Sequence, residues 1–285
     1  MPPPTIVPAG EEPAAVGASQ DHSYPQHHHA HRIFKVYVTG FGSFGNVDVN
    51  ASNLVASSLP PTLHEKYISH ADKDLHLQVS LIPHFQPVPV SYKTVQELIP
   101  TLYEDLPGVD LFVHIGVAPG DGYCIETRGR RGRYGPPDNN PNGKRDVDGL
   151  WPDGYAADKA ARGKVPQDVQ EIHTSLDIEA ICKHLKTVKR DPTDKFESPT
   201  LSTDAGLYLC EFILYNSMAE SLYDAKYEQE YPESKPATNP SSDPPTTSRA
   251  IFIHIPVHTD SEWLEKGRDT VMRIIGAIAV QRVSN

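Results

Sequence analysis

The sequence predicts a three-layer α/β/α sandwich built around a mainly parallel, twisted sheet. Segments with strand character alternate with segments of helical periodicity, which is the order expected of βαβ units. Two strand segments, 110–116 and 250–256, are almost entirely apolar, as strands covered by helices on both faces tend to be. These observations together indicate a sheet with helices on both sides.

The individual elements follow from local composition and period. Strands are predicted where β-branched and aromatic residues concentrate between turn signals, at 33–40, 77–83, 110–116 and 250–256. Helices are predicted where apolar residues recur with a helical period, at 52–59, 92–106 (interrupted by Pro100), 177–188, 207–223 and 261–283.

Three parts of the chain lack this alternation. Residues 1–31 are Pro-rich and polar and are expected to form a disordered tail, whose histidines between 27 and 31 either bind a metal ion or are merely solvated. The segments 136–166 and 224–249 are rich in Pro and polar residues. We expect them to be insertions in a single domain spanning 32–285, because the strand and helix pattern resumes after them.

Composition narrows the class of protein. The 285 residues carry a formal net charge of -11, which argues against nucleic acid as a partner. Apolar runs fall short of the ~20 residues that span a bilayer, and the N-terminus lacks the features of a secretory signal. Three widely spaced cysteines without a CxxC pair argue against a disulfide framework or a zinc site. A reducing compartment and a cytoplasmic location are therefore expected.

Cys210 is the first candidate for chemistry. It follows the turn-forming segment STDAG at 202–206 and lies near the start of a predicted helix. The positive end of the helix dipole favours the thiolate, which is the form that attacks carbonyls. The alternative is a buried core cysteine, since free cysteine is among the most buried residue types.

A cysteine nucleophile needs a base and a group that orients the base. His254 ends an apolar strand and Glu126 follows another, so both are expected at the carboxyl edge of the sheet. Spacing alone does not show that these residues form a catalytic triad with Cys210, because the chain has 14 histidines that offer many accidental partners. His114 is a candidate core histidine, and Cys124 is a rival nucleophile that lacks a helix start.

Four segments carry a family resemblance. They are VTGFGSFG at 38–45 with Asn50, Ile125–Glu126, DAGLYLC at 204–210, and FIHIP at 252–256. They are similar, in the same order, to the blocks TGFxPFG…N, the triad glutamate, DAGRYLC and FxHxP of the pyroglutamyl-peptidase I family, of the animal or fungal type. Members are cysteine omega-peptidases that remove N-terminal pyroglutamate. The resemblance covers about residues 33–283, apart from the two insertions.

The resemblance implies roles for individual residues. Cys210 would be the nucleophile, His254 the general base and then acid, and Glu126 the group that orients His254. Substrate-binding residues would be Phe41 and Phe44, whose rings flank the pyroglutamyl ring, together with Asn50 and Val117. Phe41 and Phe44 could instead be ordinary packing aromatics, and Asn50 could equally be a helix cap.

The resemblance also implies a phosphorylase/hydrolase-like fold, pyroglutamyl peptides as substrates, and neither a metal nor an organic cofactor. It leaves a monomer and a homo-oligomer equally open. Some positions depart from the family pattern: Leu207 replaces an arginine, and Gly135 stands where bacterial members carry an arginine that stabilises the oxyanion. Arg131 or Arg133 could replace it. These departures motivate the alternative of a weak or inactive paralogue that binds peptides through the same pocket.

Overall fold

Five α-helices flank a six-stranded sheet in the part of the chain that the computed structural model describes, which comprises residues 32–68, 77–132, 134, 144–151, 165, 168–188, 195–221 and 249–284. The strands are β1 Arg32–Gly40, β2 Leu77–Pro83, β3 Leu111–Ala118, β4 Cys124–Glu126, β5 Arg128–Arg130, β6 Glu171–His173, β7 Thr200–Ser202 and β8 Ala250–Pro256. The helices are α1 Ala51–Ser57, α2 Tyr92–Asp105, α3 Ile178–Thr187, α4 Leu209–Ser221 and α5 Ser261–Ser284.

The sheet is mainly parallel, as predicted. Its strand order is β2-β1-β3-β8-β4-β7. All neighbours pair in parallel except β4 and β8, which are antiparallel. Strands β5 and β6 form a separate antiparallel pair. The antiparallel pairing of β4 with β8 has a direct consequence for the site, because it places Cys124 of β4 beside His254 of β8.

Helices cover both faces of this sheet and complete the predicted three-layer sandwich. One apolar cluster joins the sheet to α1, α3 and α5, with Val55, Ile181 and Ile275 among its buried members. A second cluster joins the other face to α2 and α4, including Val95 and Phe212. Side chains at the centre of β8 are inaccessible to solvent, which explains the continuous apolar character of its sequence.

The predicted element boundaries are mostly within two residues of the observed ones. Helix starts are fixed by side-chain caps: Asn50 caps α1, Ser91 caps α2 and Asp177 caps α3.

Helix α2 continues through Pro100 instead of being interrupted there. The reason is tertiary packing, because Ile99 and Leu102 on either side are both buried and outweigh the amide that proline lacks. The short strands β4, β5, β6 and β7 were not predicted.

The predicted tail at 1–31 lies outside the described residues, as do nearly all of the predicted insertion at 224–249 and most of the one at 136–166. The tail, the insertions and the single-domain organisation therefore stay predictions. Strand β8, which follows the segment 224–249, pairs with β3 in register from Phe112–Ala250 to Ala118–Pro256. Among the described residues, no helix is long and apolar enough to cross a membrane.

Candidate active site

The thiol of Cys210 lies at the start of a helix that a tight turn introduces. Gly206 adopts a φ of 74°, a left-handed conformation that glycine enters without steric cost. The side chain of Asp204 accepts a hydrogen bond from the amide of Gly206 at 3.2 Å and stabilises this turn. Helix α4 then begins at Leu209, so half-buried Cys210 is its second residue. The predicted position of the thiol in the first helical turn is what the structure shows.

His254 and Glu126 are bound to each other on neighbouring strands. His254 Nδ1 lies 2.8 Å from Glu126 Oε1, and both side chains are buried. Burial raises the pKa of Glu126, but hydrogen bonds from His254 and Ser202 outweigh this effect and lower that pKa below its ordinary value. The carboxylate therefore stays ionised beside the imidazole, and it fixes the orientation of the ring.

The imidazole of His254 also faces two thiols. Burial lowers the pKa of His254, but hydrogen bonds with Cys124, Cys210 and Glu126 raise it well above its ordinary value. The imidazolium is thus the favoured form in the resting site. A protonated histidine beside a thiol is the pairing that activates cysteine nucleophiles and supplies a proton to a leaving group.

Gly116 makes room for this arrangement. It pairs with His254 across β3 and β8. A Cβ atom at position 116 would lie 2.4 Å from Cζ of Phe252 and 3.2 Å from Sγ of Cys210. Only a residue without a side chain permits Phe252 and Cys210 to approach the strand so closely, so Gly116 sets the distance between the thiol and the sheet.

A small pocket opens in front of the thiol. All four predicted substrate-binding residues line it together with Cys210. Three further lining residues were not assigned from the sequence: Val90, Tyr208 and Leu209. Tyr208 and Leu209 lie within the DAGLYLC segment itself, so their position beside the nucleophile was the available signal. Val90 precedes α2 and had no sequence signal.

Asn50 is both a helix cap and a support for the pocket loop. Its Oδ1 accepts hydrogen bonds from the amide and the hydroxyl of Ser52, at 3.1 and 2.8 Å. Its Nδ2 donates to the carbonyl of Gly42 at 2.9 Å, and Ser52 Oγ accepts from the amide of Phe41 at 3.0 Å. The two alternative interpretations of Asn50 are therefore combined in one side chain, which holds the aromatic loop against α1.

Two other residues that the sequence suggested, His114 and Arg131, do not line the pocket. His114 is completely buried, its Nδ1 lies 2.8 Å from Thr39 Oγ1, and burial lowers its pKa to about 3; it is a neutral core histidine. Arg131 donates to the carbonyls of Val165 and Val169. Gly135 and Arg133 lie outside the described residues, so the replacement for the oxyanion arginine stays open.

An α/β sandwich that presents a helix-start thiol to a carboxylate-bound imidazole has the architecture of a cysteine hydrolase. The chain is 32% identical over 187 residues to "Pyroglutamyl-peptidase 1" of Homo sapiens, covering 65% of this chain and 73% of the human one. With the Mus musculus protein of the same name it shares 32% over 184 residues, covering 64% and 72%. The chain therefore belongs to the pyroglutamyl-peptidase 1 family.

Solved structures share the fold. The pyrrolidone carboxyl peptidase from Thermococcus litoralis superposes with a TM-score of 0.56 at 18% identity, covering 86% of this chain and 93% of that one. A variant of the pyrrolidone carboxyl peptidase from P. furiosus gives a TM-score of 0.54 at 20% identity, covering 86% and 98%. No family model matches the chain.

Proposed function

We propose that this protein is a cysteine peptidase that removes N-terminal pyroglutamate from peptides by acyl transfer through a thioester. The observation that carries the proposal is the 2.8 Å contact between His254 Nδ1 and Glu126 Oε1, formed behind a thiol that lines a small aromatic pocket. The relatives named pyroglutamyl-peptidase 1 support the same reaction.

The reaction follows from the roles of the three groups. The thiolate of Cys210 attacks the carbonyl that joins pyroglutamate to the next residue. His254, protonated at rest, gives its proton to the departing amine and then takes one from the water that hydrolyses the thioester. Glu126 keeps the ring in place and stabilises its charged form. Backbone amides in the first turn of α4, which have no intrahelical acceptor, are suited to bind the oxyanion, and one such donor is typically worth about 3 kcal/mol.

The pocket suits a flat, uncharged ring. Phe41 is held by Phe252, with ring centroids 6.4 Å apart, and Phe44 packs partly buried on the same apolar cluster. Burial raises the pKa of Tyr208 to about 12, so its hydroxyl stays neutral and donates to the carbonyl of Arg145 at 2.9 Å. A pocket walled by neutral groups favours a lactam over a charged amino terminus.

The presence of all three reacting groups in one cluster supports an active enzyme over a paralogue that only binds peptides. All three cysteines, Cys124, Cys182 and Cys210, are free thiols, which supports function in a reducing compartment such as the cytoplasm. Whether the protein acts as a monomer or a homo-oligomer does not alter this mechanism.

The experiment measures hydrolysis of a pyroglutamyl-coumarin substrate by the wild type, Cys210→Ser and Cys182→Ser. Cys182 is a matched control because it is buried on α3, in the cluster on the opposite face of the sheet. We expect activity in the wild type and the control, and none in Cys210→Ser. Glutamyl-coumarin, which has a free amine in place of the lactam, should not be cleaved.

A second measurement separates the two thiols at the site. A pyroglutamyl halomethyl ketone should alkylate one cysteine, and peptide mapping by mass spectrometry identifies which one. Alkylation of Cys210 is expected. Alkylation of Cys124, or full activity in Cys210→Ser, would overturn the mechanism.

A further inference from the structure

Three metal-ligating side chains converge behind the pocket, and one of them has no part in the proposed reaction. Cys124 pairs directly with His254 across the antiparallel strands β4 and β8. Glu126 lies two residues further along β4, so its side chain is on the same face of the sheet. One ligand atom from each residue lies within 4.8 Å of the other two.

The cluster is held together by short contacts. Cys124 Sγ donates to Glu126 Oε1 at 3.4 Å, and His254 Nδ1 lies 2.8 Å from the same oxygen. Glu126 and His254 are buried, with exposed fractions of 1% and 6%, whereas Cys124 is half-buried. An ion can therefore enter from the side of Cys124 and meet ligands that are already fixed in place.

We propose that Cys124, Glu126 and His254 form an inhibitory site for a divalent cation of the zinc type. Thiolate sulfur, imidazole nitrogen and carboxylate oxygen are the ligands that Zn²⁺ uses, at about 2.0–2.3 Å. Tetrahedral bonds of that length separate the ligand atoms by about 3.3–3.8 Å, so each side chain needs to move by less than about 1 Å. The spacing of the cysteines in the sequence could not indicate this site, because the site contains only one cysteine.

The ion would replace two protons, that of the Cys124 thiol and the one shared between His254 Nδ1 and Glu126. With Nδ1 bound to the metal, Glu126 no longer orients the ring and His254 cannot cycle a proton. This consequence rests on the proposed function, whereas the binding itself does not. The peptidase would therefore be silenced reversibly by a metal that the fold can hold after side-chain movements of less than about 1 Å.

Binding is tested without relying on activity. Co²⁺ is added to the full-length Cys210→Ala variant, in which the nucleophile can no longer serve as a ligand, and absorption is recorded. We expect the near-ultraviolet sulfur-to-cobalt charge-transfer band and the strong visible bands of a four-coordinate site. The charge-transfer band should be absent from Cys210→Ala/Cys124→Ala and present in Cys210→Ala/Cys182→Ala. A band that is absent from Cys210→Ala itself, or that survives loss of Cys124, would overturn the proposal.

Calorimetric titration with Zn²⁺ gives the affinity. In the Cys210→Ala background, loss of Cys124 should weaken Zn²⁺ binding by at least about 100-fold, since even groups outside the ligand set change affinity 10–100-fold. In the enzyme that retains Cys210, hydrolysis should fall when Zn²⁺ is added and return when a chelator removes it. The Cys124→Ala variant of that enzyme should need a higher Zn²⁺ concentration for the same inhibition. A charge-transfer band without any effect on hydrolysis would retain the site and overturn its inhibitory role. An enzyme inactive even with chelator would contradict the proposed function and leave the cobalt result valid.

Discussion

Arg130 binds the fully buried carboxylate of Glu211, the residue that directly follows Cys210. Its Nε lies 2.5 Å from Glu211 Oε1, and its amide donates to the same oxygen at 3.1 Å. The Arg130 guanidinium also pairs with Asp204, in the turn that precedes α4. One arginine therefore fixes both the turn before the thiol and the first turn of the helix after it.

Breaking this pair should destabilise the protein and displace the thiol. Arg130→Met leaves the Glu211 carboxylate buried without its ion partner, which typically costs 3–5 kcal/mol. We expect a drop of about that size in the free energy of unfolding, measured by urea denaturation, and a lower kcat with little change in KM.

The double variant Arg130→Met/Glu211→Met separates charge from packing. Replacing a whole buried pair by apolar residues is often neutral, so much of the lost stability should return. A single variant that loses less than about 1 kcal/mol, or a double variant as unstable as the single one, would show that the pair does not stabilise α4.

Glu126→Gln should reduce kcat by about 10⁴, the loss seen when a triad carboxylate becomes an amide. The amide keeps the size of the side chain but cannot hold His254 in its charged, oriented form. KM for the pyroglutamyl substrate should change little, because Glu126 does not line the pocket. Glu179→Gln, at an exposed position on α3, is the matched control, and a loss of less than tenfold in Glu126→Gln would contradict the assigned role.

Gly116→Ala should impair catalysis through crowding. The new methyl group would meet Phe252 at 2.4 Å and the Cys210 sulfur at 3.2 Å, and overpacking of this kind costs about 1–3 kcal/mol. A shift of the nucleophile by about 1 Å can cost 10²-fold in rate, which steady-state kinetics will detect. Gly122→Ala has open space around its Cβ position and should behave like the wild type; equal activity in the two variants would refute the crowding argument.

Asn50→Asp tests the loop that carries the two phenylalanines. The carboxylate still caps α1, but it cannot donate to the carbonyl of Gly42 and repels it instead. We expect KM to rise about tenfold, equivalent to about 1.4 kcal/mol, with kcat nearly unchanged. Thermal stability should fall, because position 50 is buried and a buried carboxylate facing a carbonyl is costly. Asn46→Asp, exposed in the same loop, controls for the added charge; a change in kcat alone would argue against a role in binding.

The His254–Glu126 pair should give stability a defined pH dependence. The pKa of His254 is raised above 6.5, so its contribution is complete below about pH 6.5 and declines as pH rises towards the folded-state pKa. The pKa of Glu126 is lowered below 4.5, so its contribution is lost as pH falls through the folded-state value. The stability difference between wild type and His254→Gln, measured with chelator present, should be largest between about pH 4.5 and 6.5. A difference that grows above pH 7 would contradict the sign of the His254 shift, and a difference that grows as pH falls below about 4.5 would contradict the sign of the Glu126 shift.

Sequence reasoning found the elements whose signals are local. Strands β2 and β8 were predicted to the residue, since each is an apolar run that ends in proline, and the helix start at Cys210 follows from its turn. Strand β4 has only three residues, too few for a period, and its identity depends on pairing with β8 far along the chain. Glu126 was therefore only a weak candidate from its place after an apolar strand, and the family resemblance supplied the main support for its role.

The Arg130–Glu211 pair was missed for the same reason. Its members are separated by 81 residues, and Glu211 resembles an ordinary first-turn carboxylate in the sequence. Nothing local distinguishes it from a solvated glutamate, although it is completely buried. The predicted pocket residues line one pocket with Cys210, and their roles in binding stay predictions until the kinetics above are measured.

The position of Asn50 has a consequence for how this enzyme can diversify. The aromatic loop at 41–50 is joined to the rest of the molecule by hydrogen bonds at its ends and by the packing of its two phenylalanines on one apolar cluster, while His254 lies in a buried central strand. Loop and strand can then unfold locally at very different free energies. Grafting a different loop between β1 and α1 should alter which N-terminal group is accepted while the acyl-transfer machinery remains intact, which makes the two functions separately evolvable.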